Sequence, residues 1–172
     1  MRDLAPILDH LKSSRSKLVA VSERIPAKRW RESPGSGAWS AGEVIAHVTM
    51  VERRVLAGAR KTMESAPVHV PLLKRLHRPV AVAAWRTFKL KTPIPLDPNL
   101  VAAWPESLDQ LDAARVVTLQ FVEATRAQDL RAYRFPHPFL GSLNIYDWLR
   151  LLGYHELRHA KQIREVVETF RR

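Results

Sequence analysis

Four segments of this 172-residue chain carry apolar residues at helical spacing, and this pattern limits the fold more than any other feature. The segments run from about Asp3 to Arg24, from Ser40 to Met63, from Ser107 to Ala127, and from Asn144 to about Phe170. No alternating strand pattern of comparable strength accompanies them. The predicted fold class is therefore all-α, most simply a four-helix bundle forming a single domain over residues 1–172.

Capping residues predict where three of these helices begin. In a capping box, the first residue and a Glu or Gln three positions later satisfy each other's free backbone N–H groups. Ser40 and Glu43 match this pattern directly before an apolar-periodic run. Two further pairs have the same spacing, Ser107 with Gln110 and Asn144 with Asp147.

The middle of the chain interrupts the helical pattern. Seven prolines between residues 66 and 105 rule out a long continuous helix there. A short helix is predicted from Ala81 to Leu90. Such a long connection suits a bundle in which two helices that follow each other in sequence need not be neighbours in space.

Positive charge is concentrated in the same region. The formal net charge is +11, and between Arg53 and Lys91 ten Lys and Arg residues are opposed only by Glu64. Such a stretch can form a surface for nucleic acid, anionic lipid or an anionic substrate. The alternative is a solvated loop in a basic protein, and it is favoured because no known nucleic-acid motif accompanies the charge.

Composition restricts the kinds of site that the chain can build. It has no cysteine, which excludes disulfides, thiolate nucleophiles and cysteine metal sites, so any metal must be bound by His, Asp or Glu. There is no apolar run of about 18 residues, and the N-terminus lacks the apolar core of a signal peptide. A cytoplasmic location without a transmembrane segment is therefore expected.

Three histidines are predicted to converge. His155 and His159 lie one helical turn apart on the face that also carries Trp148 and Ile163, and His47 lies on the inward face of the second helix. Burying three imidazoles requires several compensating partners, and one divalent metal ion would serve all three. Spacing alone leaves two alternatives open, a metal site and a set of hydrogen-bonded core histidines.

The segment from His155 to His159 also reads H-E-x-x-H, the signature of zinc proteases. A protease needs a third ligand downstream, but Glu165 and Glu168 lie too far along the same helix to reach the ion. The protease interpretation is therefore rejected. Glu156 is expected either at the surface or as a support for the ligands, since it points about 100° away from His155.

Two motifs resemble the DinB/YfiT-like superfamily. The segment Trp39–His47 resembles that family's second helix, and Gly141–Leu149 with Tyr154–Ile163 resembles its last helix. The resemblance implies a four-helix bundle with long crossover connections, and a divalent metal, zinc or nickel most readily, held by His47, His155 and His159. It also implies a homodimer. The activities it implies are metal-dependent hydrolysis or metal-assisted transfer of a low-molecular-weight thiol.

Three functional hypotheses follow. The first is a metal-dependent hydrolase or thiol transferase acting on a small-molecule substrate. In it, Glu43 is a proton acceptor or only a capping residue, and Gln162 orients a ligand or only forms a helix-face hydrogen bond. The second is a metal-binding or stress-response bundle without catalysis. The third is a nucleic-acid or membrane-surface binder that uses the basic stretch 53–91.

Overall fold

Four long α-helices make up most of the part of the chain that the structure describes. The computed structural model describes residues 3–67, 79–85 and 96–171. The helices are α1 (Ala5–Ser22), α2 (Ala41–Met63), α3 (Trp104–Ala124) and α4 (Ile145–Thr169). A hairpin of two short strands, β1 (Arg134–His137) and β2 (Gly141–Asn144), lies between α3 and α4. The predicted all-α four-helix bundle is confirmed.

Two groups of buried apolar side chains show how the helices run. One group joins the beginnings of α1 and α4 to the ends of α2 and α3: Ile7, Leu11, Val55, Leu56, Phe121, Val122, Leu149 and Leu152. The other joins the ends of α1 and α4 to the beginnings of α2 and α3: Leu18, Val21, Val44, Ile45, Leu111, Ile163 and Val166. Hence α1 and α4 point one way and α2 and α3 the other, so α2 ends and α3 begins at opposite ends of the bundle.

The predicted caps of α2 and α4 are present. Ser40 Oγ accepts from the backbone N–H of Glu43 at 3.2 Å, and a Glu43 carboxylate oxygen accepts from the backbone N–H of Ser40 at 2.8 Å. Asn144 Oδ1 accepts from the backbone N–H of Asp147 at 3.1 Å. These bonds satisfy N–H groups that a helix start leaves without an intrahelical partner.

The predicted beginning of α3 was wrong. The helix starts at Trp104, and Pro105 lies in its first turn, where the missing N–H costs nothing. Ser107 does not cap the helix. Its hydroxyl accepts from Trp30 Nε1 at 3.2 Å and donates to the carbonyl of Ala102 at 3.0 Å.

Two shorter elements also differ from the sequence prediction. The turn-rich segment before α4 forms an antiparallel hairpin, in which Arg134 pairs with Asn144 and His137 with Gly141. Of the short helix predicted over 81–90, the structure shows a 3₁₀ turn at Val80–Ala84, and residues 86–90 lie outside the described residues. Within the described ranges, no helix is both long and apolar enough to cross a membrane.

Four charged side chains meet at the centre of the bundle. They are Arg15 of α1, Glu52 of α2, Arg115 of α3 and Glu156 of α4, and none of them is more than 8% exposed. We call this set the ionic quartet. Its existence corrects one prediction, since Glu156 is not a surface residue but is 1% exposed and ion-paired to both arginines.

Candidate metal centre

The cap of α2 positions His47 near the beginning of that helix. Ser40 and Glu43 fix the first turn, and His47 follows on the inward side between the buried Val44 and Val48. His47 is only 5% exposed. The imidazole therefore projects into the interior at the end of the bundle where α2 and α3 begin.

The other two histidines project from α4 towards the same point. His155 and His159 are one turn apart, and their Nε2 atoms lie 3.1 Å from each other. The Nε2 atom of His47 lies 3.3 Å from that of His155. One ring nitrogen from each of the three residues lies within 4.8 Å of the other two. The structure thus brings together the three histidines that the sequence singles out.

Hydrogen bonding alone does not satisfy this cluster. Nε2 of His155 approaches both His47 and His159, but a ring nitrogen carries either one proton or one lone pair. A divalent metal accepts a lone pair from each imidazole at about 2.0–2.1 Å, and tetrahedral angles then place the nitrogens about 3.3 Å apart. The donor set and its spacing fit a transition metal.

The protonation state of the histidines also suits metal binding. Burial lowers the pKa of His47 to about 4. Burial, followed by the neighbouring charges of His159 and His47, lowers the pKa of His155 well below its ordinary value. Both rings are therefore neutral at physiological pH, and the neutral imidazole is the form that binds metals.

Gln162 lies against the outer side of the cluster. Its Oε1 atom is 2.9 Å from Nδ1 of His159. A carbonyl oxygen can only accept, so His159 donates from Nδ1 and keeps the lone pair of Nε2 directed at the cluster. Metal-binding histidines are commonly oriented in this way by a second hydrogen bond.

Glu43 acts as a capping residue in the structure. Its Oε2 atom accepts from the backbone N–H and the hydroxyl of Ser40, at 2.8 and 2.9 Å. No group within the described residues forms a hydrogen bond to its other oxygen, Oε1. Glu43 lies one turn before His47 on α2, so the two side chains leave the same face of the helix.

The structure also excludes the protease arrangement. The carboxylate of Glu156 accepts from Arg15, Arg115 and the hydroxyl of Ser14, so it is not free to act as a general base. Glu165 and Glu168 are exposed and lie outside the histidine cluster.

Aromatic and basic groups near the cluster were not anticipated as parts of a site. The indole of Trp39 packs on the ring of His47 with 5.0 Å between ring centroids. In the sequence, the position of Trp39 directly before the cap of α2 was the only indication that an aromatic ring lies beside His47.

Two basic side chains of α4 hold the 79–85 segment against that helix. Arg158 donates to the carbonyl of Trp85, and Lys161 donates to the carbonyl of Ala84 at 3.0 Å.

Part of the basic stretch lines a surface cleft. Arg53 and Arg54 border a cleft of about 320 Å³ together with Met50 of α2 and Gln110 of α3. The basic residues at positions 68–78 and 86–95 lie outside the described residues. The described part therefore places two arginines at a cleft formed by α2 and α3.

Comparisons with known proteins agree with the motifs and the fold. The curated protein described as "Uncharacterized protein YuaE" of Bacillus subtilis (strain 168) is 25% identical over 146 residues, covering 84% of this chain and 87% of that protein. The crystal structure of TT2238, a four-helix bundle protein, matches with a TM-score of 0.63 and 25% identity, covering 95% of this chain and 99% of that one. The sequence model of the DinB superfamily matches residues 10–163, which include all three clustered histidines. The chain belongs to the DinB superfamily.

Proposed function

We propose that the protein is a metal-dependent enzyme acting on a small molecule, with one divalent transition metal held by His47, His155 and His159. Zinc and nickel are the preferred candidates because both accept imidazole ligands. The observation that carries the proposal is the approach of the three Nε2 atoms, at 3.1 and 3.3 Å for the two closest pairs. The reaction we propose is hydrolysis, or transfer of a low-molecular-weight thiol.

The ligand set determines the chemistry available at such a centre. When bound, a divalent ion with three neutral imidazole ligands acts as a Lewis acid and lowers the pKa of a water or thiol beside it. The chain has no cysteine, so a reacting thiol would come from a separate molecule. The buried setting of His47 beside Trp39 limits the access of bulk water on that side.

Two polar residues have proposed roles beside the three ligands. Gln162 orients His159 through the bond to Nδ1, which supports the proposal that it tunes the centre. Oε1 of Glu43 is proposed as the proton acceptor for the reacting water or thiol. Its companion oxygen, Oε2, holds the cap and so fixes the direction of the carboxylate.

Metal analysis of the purified protein tests the site. The wild type is expected to contain close to one equivalent of divalent metal, and His47→Ala and His159→Ala are expected to lose it. His137→Asn is a matched control. The backbone N–H groups of Phe139 and Leu140 donate to Nδ1 of His137, and the side-chain oxygen of Asn can accept these hydrogen bonds in its place. Unchanged metal content in both ligand variants would refute the site.

Turnover distinguishes an enzyme from a bundle that only holds metal. We expect the metal-loaded wild type to hydrolyse activated esters or amides, or to transfer a small thiol to an electrophile. The rate measured for His47→Ala under the same conditions gives the background in the absence of the complete metal site. Stoichiometric metal with no turnover in either assay would instead favour the non-catalytic metal-binding or stress-response role.

A further inference from the structure

The ionic quartet connects all four helices through its two arginines. Arg15 donates from Nη2 to Glu52 at 2.6 Å and from Nε to Glu156 at 2.7 Å. Arg115 donates from Nε to Glu52 at 2.7 Å and from Nη2 to Glu156 at 3.0 Å. Each arginine therefore bridges both glutamates, and α2 is joined to α4 twice.

The remaining nitrogens of the two guanidinium groups reach the backbone of the facing helices. Arg15 Nη1 donates to the carbonyl of Leu111 at 2.5 Å, and Arg115 Nη1 donates to the carbonyl of Leu11 at 2.6 Å. These reciprocal bonds join α1 and α3. Sliding any one helix along its axis would break several bonds of the quartet at once.

We propose that Arg15 and Arg115 are positioning residues for the metal centre. By holding Glu52 and Glu156 together, they fix the position of α2 along α4 and so keep His47 opposite His155. The inference rests on the proposed metal site and adds a structural determinant to it.

The spacing of residues along the two helices supports this role. Glu52 follows His47 by five positions on α2, and Glu156 directly follows His155 on α4. A displacement of one helix by a single turn is about 5.4 Å, which exceeds the 3.3 Å between the Nε2 atoms of His47 and His155. The quartet fixes the axial position that the histidine contact requires.

The arginines act through the helices and not by contact with the imidazoles. Successive residues on a helix point about 100° apart, so Glu156 faces Arg15 and Arg115 while His155 faces His47. Buried ionic networks contribute little net stability compared with apolar replacements of similar size. In some proteins, buried polar groups instead determine which register the helices adopt.

Arginine is required at these positions because each side chain makes three differently directed bonds. Arg115 uses Nε, Nη1 and Nη2 to reach Glu52, Leu11 and Glu156. A lysine ammonium retains the charge, but it is a single compact group. It therefore does not reach two carboxylates and a backbone carbonyl at the same time. Arg115→Lys therefore separates the bridging geometry from the charge.

The test is titration of the metal-free protein with Co²⁺, followed by visible absorption. The Co²⁺ spectrum depends on coordination number and geometry, which a loss of stability alone does not change. We expect Arg115→Lys to bind Co²⁺ on the order of tenfold more weakly than the wild type, with an altered spectrum. Circular dichroism should show that the helices are retained.

Arg126→Lys is the matched control, because Arg126 follows the same helix but is exposed and pairs only with Glu123 among described residues. It should bind Co²⁺ like the wild type. Wild-type affinity and spectrum in Arg115→Lys would overturn the inference while leaving the metal site intact. Absence of Co²⁺ binding to the wild type would overturn both.

A second variant covers the case in which Arg115→Lys does not fold. Replacing the whole quartet, by Arg15→Met, Glu52→Leu, Arg115→Met and Glu156→Leu, leaves no unpaired charge in the core. The inference predicts an altered Co²⁺ spectrum in this variant. A wild-type spectrum would show that the quartet does not position the histidines.

Discussion

Nε2 of His47 lies 3.3 Å from Nε2 of His155, although 108 positions separate the two residues. The contact joins the beginning of α2 to the middle of α4, two helices that run in opposite directions. The candidate centre therefore exists only where these helices pack correctly. Its metal affinity should respond to changes in helix packing as well as to changes in the ligands.

Replacing Glu43 by Gln should separate its two proposed roles. Gln also completes a capping box, so Glu43→Gln should retain the stability of α2 while removing the proton acceptor. We expect the thermal midpoint to change little and the turnover number to fall by on the order of 100-fold, the scale of general-base catalysis. Thermal unfolding and steady-state kinetics provide the measurements.

The companion variant Glu43→Ala also removes the bond from the backbone N–H of Ser40 to the side chain of residue 43, while Ser40 Oγ still accepts from the backbone N–H of residue 43. It should destabilise the protein by about 1 kcal/mol beyond the effect of Glu43→Gln, the scale of one lost hydrogen bond. Full activity in Glu43→Gln would show that the carboxylate serves only as a cap.

Gln162→Leu should weaken metal binding without removing a ligand. It eliminates the acceptor for His159 Nδ1, which the structure places at 2.9 Å from Gln162 Oε1. Loss of such supporting bonds typically lowers metal affinity by about 10- to 100-fold. Competition with a chromophoric chelator would measure the change. Gln162→Glu, which keeps an acceptor, should restore binding, and equal affinity in all three proteins would contradict the orienting role.

The metal-free protein should lose stability in mild acid. Burial lowers the pKa of His47 from 6.5 to about 4, so the unfolded chain binds more protons than the folded chain between these values. The contribution of His47 to the free energy of unfolding should therefore be complete above about pH 6.5 and fall by about 3 kcal/mol as the pH drops to about 4. The lowered pKa of His155 acts in the same direction. Urea denaturation across this range measures the slope.

His47→Gln provides the comparison for the pH experiment, because the amide does not titrate. Its stability should depend less steeply on pH over the same interval. Identical slopes for the two metal-free proteins would rule out His47 as a source of the acid sensitivity.

The homodimer implied by the family resemblance stays a prediction, and one surface of α3 supports it. Val116, Val117 and Leu119 are 53%, 37% and 40% exposed, a group of apolar side chains on the outer side of the bundle. Sedimentation velocity should show a dimer that dissociates in the double variant Val116→Lys, Leu119→Lys. A monomeric wild type at micromolar concentration would contradict the prediction.

Local patterns were sufficient to predict the helices and the clustered histidines. Apolar spacing and the caps at Ser40 and Asn144 are properties of short segments, and they correctly indicated α2 and α4. The start of α3 was missed because Ser107 bonds to Trp30 from a distant part of the chain. The hairpin was missed because each strand is only four residues long.

The ionic quartet was missed because charged residues on amphipathic helices are usually exposed. A signal was nevertheless present in the sequence. Leu108, Leu111 and Arg115 repeat the spacing of three residues in the first helix, Leu8, Leu11 and Arg15. An arginine on the inward face in both helices indicates a buried acidic partner, but which glutamates supply it depends on the tertiary packing.

The ionic quartet also determines when the protein can finish folding during its synthesis. Arg15 and Glu156 are 141 positions apart, so at about 5–20 residues per second the ribosome makes Glu156 roughly seven to thirty seconds after Arg15. Throughout that interval the guanidinium of Arg15 has no α4 carboxylate to bind, and the α4-facing side of α1 remains uncovered. Closure of the bundle and assembly of the histidine cluster therefore wait until α4 has been made, and a chain that stalls before α4 has neither.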